Sequence, residues 1–218
     1  MVKITIVDYG MGNILSVQRA LEYCGGQVRI SDNPRDVKNA DYLVLPGVGA
    51  FADGMRGLSE RGLREAIIDF ASRERPFLGI CLGMQMMMGK SEEFGIHEGL
   101  GLIQGSVVRI PDHDVHGLRH KIPHIGWNAL ALPGGKESWQ GTILEDIKIG
   151  DTVYFVHSYT AVPANVSDRL ADTFYNGQII AAAIQSGYLY GCQFHPEKSG
   201  MTGLRIINNF IKLTGNSI

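Results

Sequence analysis

The chain has 218 residues, 44% of them apolar and 19% charged, which suits one large α/β domain with a substantial core and leaves no compositional case for disorder. Its 20 basic side chains face 22 acidic ones for a formal charge of -2, with no basic block, so no nucleic-acid partner is expected. The run Met1-Val2-Lys3-Ile4-Thr5-Ile6-Val7-Asp8 meets an acid too early for a signal peptide or membrane span, and Cys24, Cys81 and Cys192 form no paired framework or ligand cluster. The expectation is a cytoplasmic protein with reduced thiols and no membrane partner.

Strands and helices alternate along the first half. Ile4 to Asp8 reads as a strand, and Gly10-Met11-Gly12-Asn13 as the turn after it. Ile14, Leu15, Val17, Ala20 and Leu21 then recur at helical spacing until Gly25-Gly26 stops the helix. Val28–Ile30 and Tyr42–Leu45 read as further strands, the latter ending at Pro46-Gly47. A helix from about Leu58 to Phe70 leads into a further apolar run, Phe77-Leu78-Gly79-Ile80-Cys81. Such alternation predicts a mostly parallel central sheet with helices on both faces. In the second half Val107–Ile110, Thr152–Val156, Ile179–Ile184 and Tyr188–Phe194 read as strands with few helices between them, so a smaller mixed sheet is expected there. A last helix runs from about Gly203 to Leu213, and 111–150 is the least regular stretch. No repeat or linker divides the chain, and residues 1–218 are read as one domain.

The strongest local feature is Gly79-Ile80-Cys81-Leu82-Gly83-Met84-Gln85, a G-x-C-x-G closing an apolar strand. Glycines two residues either side of a nucleophile permit a sharp strand-to-helix turn that lifts the side chain above the sheet. A helix N-terminus beneath the sulfur favours the thiolate, and N–H groups at the turn can serve an oxyanion. On these residues alone two readings stand: a nucleophile elbow, or a buried structural cysteine in a glycine-containing turn. Near the other end, Gln193-Phe194-His195-Pro196-Glu197-Lys198 follows a strand. His195 could take the thiol proton and Glu197 could hold the other ring nitrogen. A solvated histidine at a strand end is the alternative.

Together with Pro46-Gly47-Val48-Gly49-Ala50-Phe51, these segments occur in the order seen in class I glutamine amidotransferases, which the chain resembles over nearly its whole length. Asp8-Tyr9-Gly10-Met11-Gly12-Asn13, Pro123-His124-Ile125-Gly126-Trp127-Asn128 and Tyr154-Phe155-Val156-His157-Ser158-Tyr159 are similar to the glutaminase subunits that serve histidine biosynthesis. The resemblance implies that Cys81, His195 and Glu197 form a triad hydrolysing glutamine to glutamate and ammonia. It implies oxyanion donors at the N–H of Leu82 and, after a peptide flip between two glycines, of Val48. Gly49, Gln85, Glu93, Ser158 and Tyr159 would hold glutamine, with Glu93 suited by charge to its α-amino group; a solvated helix end is the other reading of Glu93. The implied partner is a (β/α)₈-barrel cyclase, bound as a heterodimer and receiving the ammonia. Asn13, Trp127, Tyr154 and Lys198 correspond to interface positions, Trp and Tyr being common anchors, although Trp127 and Tyr154 could instead be core aromatics. No cofactor is implied.

Other features are given structural readings. His113, His116, His120 and His124 lack a Cys pair or H-E-x-x-H pattern and are read as a solvated loop, not a metal site. Met84, Met86, Met87 and Met88 are read as core filler on the helix after the nucleophile, and Cys24 and Cys192 as structural. The segments 92–105 and 179–185 depart from the histidine-pathway pattern, so a paralogue that supplies ammonia for amidation of a surface-polysaccharide sugar is a rival reading. A non-catalytic regulatory subunit and a stand-alone amide hydrolase are the others.

Overall fold

The computed structural model describes residues 2–213. The elements in chain order are β1 (Lys3–Val7), α1 (Ile14–Tyr23), β2 (Gln27–Ser31), α2 (Pro34–Lys38), β3 (Tyr42–Gly47), α3 (Phe51–Glu60), α4 (Leu63–Ala71), β4 (Phe77–Cys81) and α5 (Leu82–Met86). They continue with β5 (Met88–Ser91), β6 (His97–Glu98), β7 (Ile103–Arg109), β8 (His124–Ala129), β9 (Thr152–His157), β10 (Tyr159–Pro163), β11 (Arg169–Tyr175), β12 (Gln178–Ser186), β13 (Leu189–Cys192) and α6 (Gly200–Lys212).

A seven-stranded sheet in the order β11-β12-β13-β4-β3-β1-β2 forms the centre. It is parallel from β13 to β2 and antiparallel at β11-β12-β13. Because side chains alternate across a strand, Ile4, Ile6, Val44, Leu78 and Ile80 face one layer with α1 and α6, represented by Val17, Leu21, Ile207 and Phe210. Val7, Leu43, Leu45 and Phe77 face the other with α3, α4 and α5, represented by Phe51, Leu58, Ile67, Phe70 and Met86. Strands buried on both faces read as continuous apolar runs, which is why β1, β3 and β4 are legible in the sequence. A second, mixed sheet, β10-β7-β5-β6, and a ribbon, β8-β9, complete the fold.

The expected mostly parallel sheet with flanking helices and a smaller mixed sheet is present, with four corrections. The strands at 179–194 extend the central sheet instead of the small one, since β13 pairs directly with β4. The single helix over 58–70 is two, because Gly62 at φ 64° turns the chain between α3 and α4. The four methionines are fully buried as expected, but α5 ends at Met86 and Met88 begins β5. The irregular segment 111–150 contains β8 and also supplies core: Trp139, Ile143, Leu144 and Ile147 pack on the α6 layer, and the Trp139 indole N–H donates to the Leu170 carbonyl at 2.8 Å.

Candidate active site

Three strand ends converge at one edge of the sheet. In register, Gly47 of β3 lies beside Cys81 of β4, and Cys192 of β13 lies beside Ile80. The chain beyond β3 (Val48, Gly49) and the chain beyond β13 (Gln193 to Glu197) therefore flank Cys81 on opposite sides. Cys81 itself has φ 54° and ψ -109°, a conformation rarely adopted by a side-chain-bearing residue and costing on the order of 1–3 kcal/mol. The expected roles of the two glycines change accordingly. The left-handed turn is made by Cys81, whereas Gly83 provides clearance: a β-carbon there would overlap the Leu45 carbonyl oxygen. Leu82 opens α5, so its N–H is one of the donors that a first helical turn leaves free.

His195 and Glu197 form a buried pair, their side chains 2% and 1% exposed, with Nδ1 2.8 Å from Glu197 Oε1. A carboxylate at Nδ1 places the Nδ1 proton and leaves Nε2 for the nucleophile. Among the described residues Nε2 has no hydrogen-bond partner. Burial alone would lower the His195 pKa, but the neighbouring Cys81 sulfur and Glu197 outweigh it and push it up to about 9. The main chain of His195 is also clamped. The His195 N–H donates to the Tyr154 carbonyl at 2.9 Å, and Ser199 Oγ donates to the His195 carbonyl at 2.7 Å while accepting from the Tyr154 N–H at 3.0 Å.

A cleft of about 340 Å³ opens onto this pair and brings Val48, Gly49, Leu82, Gln85, Glu93, Ser158 and Tyr159 around Cys81 and His195. Glu93 is not a free helix end: its carboxylate accepts the N–H of Phe51, the first residue of α3, at 2.6 Å, as a negative charge at a helix N-terminus should. Gln85 donates both to the Tyr159 carbonyl and to Gln193 Oε1, each at 3.0 Å. Gly49 sits at φ 103°, a backbone state that glycine tolerates, in the short connection between β3 and α3.

The family model for glutamine amidotransferase class-I matches residues 5–213. The chain belongs to the class-I glutamine amidotransferase family. It is 55% identical to the imidazole glycerol phosphate synthase subunit HisH 1 of Legionella pneumophila (strain Lens), over 98% of this chain and 100% of that protein. It is 46% identical to the subunit HisH of Geobacillus sp. (strain WCH70), over 96% of each. Among solved structures, one described as a glutamine amidotransferase superposes with a TM-score of 0.70 at 14% identity, covering 96% of this chain and 99% of that one. PurLQS from Thermotoga maritima gives 0.69 at 17%, covering 96% and 97%. These last two establish the fold.

Of the four residues expected at a partner interface of this amidotransferase, two are in direct contact. Trp127 of β8 and Tyr154 of β9 are cross-strand neighbours in edge contact, ring centroids 6.0 Å apart, and Trp127 is 53% exposed, so it is no core aromatic. Asn13 is half-buried ahead of α1, and Lys198 is exposed one residue past Glu197. No helix among the described residues is long and apolar enough to cross a membrane.

His124 requires a correction. It is fully buried, not part of a solvated loop, and its Nδ1 lies 3.0 Å from His157 Nε2, while His157 Nδ1 lies 2.8 Å from the Tyr159 carbonyl. The carbonyl makes His157 Nδ1 a donor, so a neutral His157 accepts at Nε2 from His124. Burial, countered in part by that carbonyl, pushes the His157 pKa down to about 3, and burial lowers His124 as well. Unfolded histidine titrates near about 6.5, so below that pH the unfolded chain binds protons that the folded chain refuses. Stability is therefore expected to fall as pH drops from about 6.5 towards 5, by up to about 1.4 kcal/mol per pH unit from His157, with His124 acting in the same direction. Urea denaturation at pH 6, 5.5 and 5, largely below the range in which the raised His195 pKa acts in the opposite sense, reads this slope, and His157→Gln should make it shallower.

Sequence reading passed over three buried residues around the thiol. Tyr9 donates to the Pro46 carbonyl of β3 at 2.9 Å, His157 lines the cleft, and Gln193 donates to Cys81 Sγ at 3.7 Å. Each lies inside a family-like motif, but only its neighbours carried an evident chemical role.

Proposed function

We propose that this chain is the glutaminase subunit of imidazole glycerol phosphate synthase. It hydrolyses glutamine and passes ammonia to a (β/α)₈-barrel cyclase, which forms imidazole glycerol phosphate and AICAR in histidine biosynthesis. The observation that carries the glutaminase reading is His195, tied to Glu197 at Nδ1 and, among the described residues, unpartnered at Nε2 within the cleft it shares with Cys81. The relatives named above favour the histidine pathway as the destination of the ammonia, and nothing in the cleft favours the sugar-amidating alternative. A retained, buried His–Glu pair beside a strained cysteine argues against a non-catalytic subunit.

In this reading Glu93, held at the start of α3, takes the α-amino group of glutamine. Gln85 has spent both N–H groups on Tyr159 and Gln193 and offers its carbonyl oxygen to a substrate donor. The Cys81 thiolate attacks the side-chain amide carbon, forming the C–S bond and an oxyanion that the N–H groups of Leu82 and a flipped Val48 receive. Protonated His195 gives its proton to the departing nitrogen, the C–N bond breaks, and ammonia leaves a thioester. Water, deprotonated by His195, attacks the thioester; the C–S bond breaks, and glutamate and the thiolate are released. A closed path to the cyclase matters because ammonia that reaches solvent at neutral pH is protonated and loses its nucleophilicity.

Trp127, Tyr154, Asn13 and Lys198 would form the partner surface, and the whole chain acts as one glutaminase domain in the cytoplasm. Glutamate release by the purified chain, with and without a barrel cyclase and its ribonucleotide substrate, tests the reading. Low turnover alone and a rise of roughly 10- to 100-fold in the substrate-bound complex are expected, the scale of a typical coupling free energy between sites. Full turnover of glutamine alone with no response to the cyclase would overturn the assignment to this synthase.

A further inference from the structure

We propose that Gln193 acts on the nucleophile itself: its side-chain amide donates a hydrogen bond to the Cys81 sulfur, and the direction of that bond is imposed through Gln85 by the main-chain carbonyl of Tyr159. The polarity follows link by link. The Tyr159 carbonyl can only accept, so the Gln85 atom 3.0 Å from it is the amide nitrogen. That same nitrogen lies 3.0 Å from the Gln193 side chain, which must therefore present its oxygen. By elimination the Gln193 nitrogen is the atom facing Cys81 Sγ, at 3.7 Å. No reversal of either amide satisfies all three contacts.

Sheet register explains why this residue reaches the sulfur. β13 pairs with β4 so that Cys192 lies beside Ile80, and one step further places Gln193 beside Cys81. Gln193 is fully buried, and its own N–H is anchored to the Ala182 carbonyl at 2.9 Å. The thiol, for its part, points its proton at the Val156 carbonyl, 3.9 Å away. Ionisation removes that bond and strengthens the one from Gln193, because a donor favours a charged acceptor over a neutral one. Gln193 thus stabilises the attacking form of Cys81, and the residue that orients it, Gln85, also lines the glutamine cleft. Occupation of the cleft and the state of the nucleophile are thereby joined by one buried chain of hydrogen bonds.

The titratable groups facing Cys81 are Tyr9 after β1, Glu93 after β5, His157 at the end of β9, Tyr159 at the start of β10, and His195 and Glu197 beyond β13. Gln193→Met keeps the side-chain length and alters none of these charges, so it isolates the donor. The measurement is the rate of Cys81 carboxamidomethylation by iodoacetamide across pH in the full-length chain, located by mass spectrometry, with Cys81→Ala correcting for Cys24 and Cys192. We expect the midpoint to rise by about one pH unit in Gln193→Met and the rate at neutral pH to fall about tenfold. A midpoint unchanged within about 0.2 unit overturns the proposal, since a purely packing role lowers stability without moving the profile. If that variant does not fold, Gln193→Glu keeps the acceptor for Gln85 while presenting oxygen to the sulfur. Its midpoint should likewise rise, and an unchanged one is equally fatal. The mechanistic consequence rests on the glutaminase reading, but alkylation needs no glutamine. Absent glutamine hydrolysis in the wild-type complex would sink that reading and leave this comparison decisive.

Discussion

Cys81→Ala should abolish glutamine hydrolysis in the complex, lowering glutamine-dependent turnover by about 10⁴-fold or more while leaving ammonium-dependent synthesis by the cyclase intact. The size follows from the chemistry: no other thiol or hydroxyl in the cleft is set on a strained elbow between a general base and the first N–H of a helix. His195→Asn should be nearly as severe, and the double variant no worse than the more damaging single one, because members of a triad act as a unit. Glu197→Gln should cost less, since His195 retains its main-chain clamp to Tyr154 and Ser199. Parallel assays with glutamine and with an ammonium salt separate these cases. Equal loss with both nitrogen sources would mean that the variants damage the complex instead of the chemistry, and retained glutaminase activity in Cys81→Ala would falsify the nucleophile assignment.

The second large effect concerns the scaffold. Gly83→Ala should lower the free energy of unfolding by at least about 3 kcal/mol, because a β-carbon there would overlap the Leu45 carbonyl of β3, and main chain cannot rotate away as a side chain can. Relief requires α5 to lift from the sheet, which displaces the N–H of Leu82 and the turn at Cys81 together. Activity should therefore fall along with stability. Gly134→Ala serves as the control: its site is open, with nothing near an added β-carbon, and its effect should stay within about 0.5 kcal/mol. Urea denaturation of both variants decides the matter. A Gly83→Ala protein as stable as the control would show that the elbow tolerates a wider spacing between α5 and β3 than its contacts imply.

Local pattern carried much of this in the sequence. β1, β3 and β4 are apolar runs because both their faces are covered, α1 shows a helical period up to its glycine stop, and the segments around Cys81 and His195 announce themselves by residue type and spacing. These features depend on neighbours a few residues away, so they survive without the fold. What the tertiary structure decided depends on pairing between distant strands. Gln193 and Cys81 stand 112 residues apart and meet only because β13 lies against β4. His124 looked like a member of a loop cluster until β8 paired with β9 and set it on His157. Trp139 and its neighbours lie in the least regular stretch yet enter the core, since burial is settled by what packs across from a residue and not by its local period. Which groups surround the thiol, which of them are neutral, and which way each amide points are properties of that packing, and a linear pattern does not contain them.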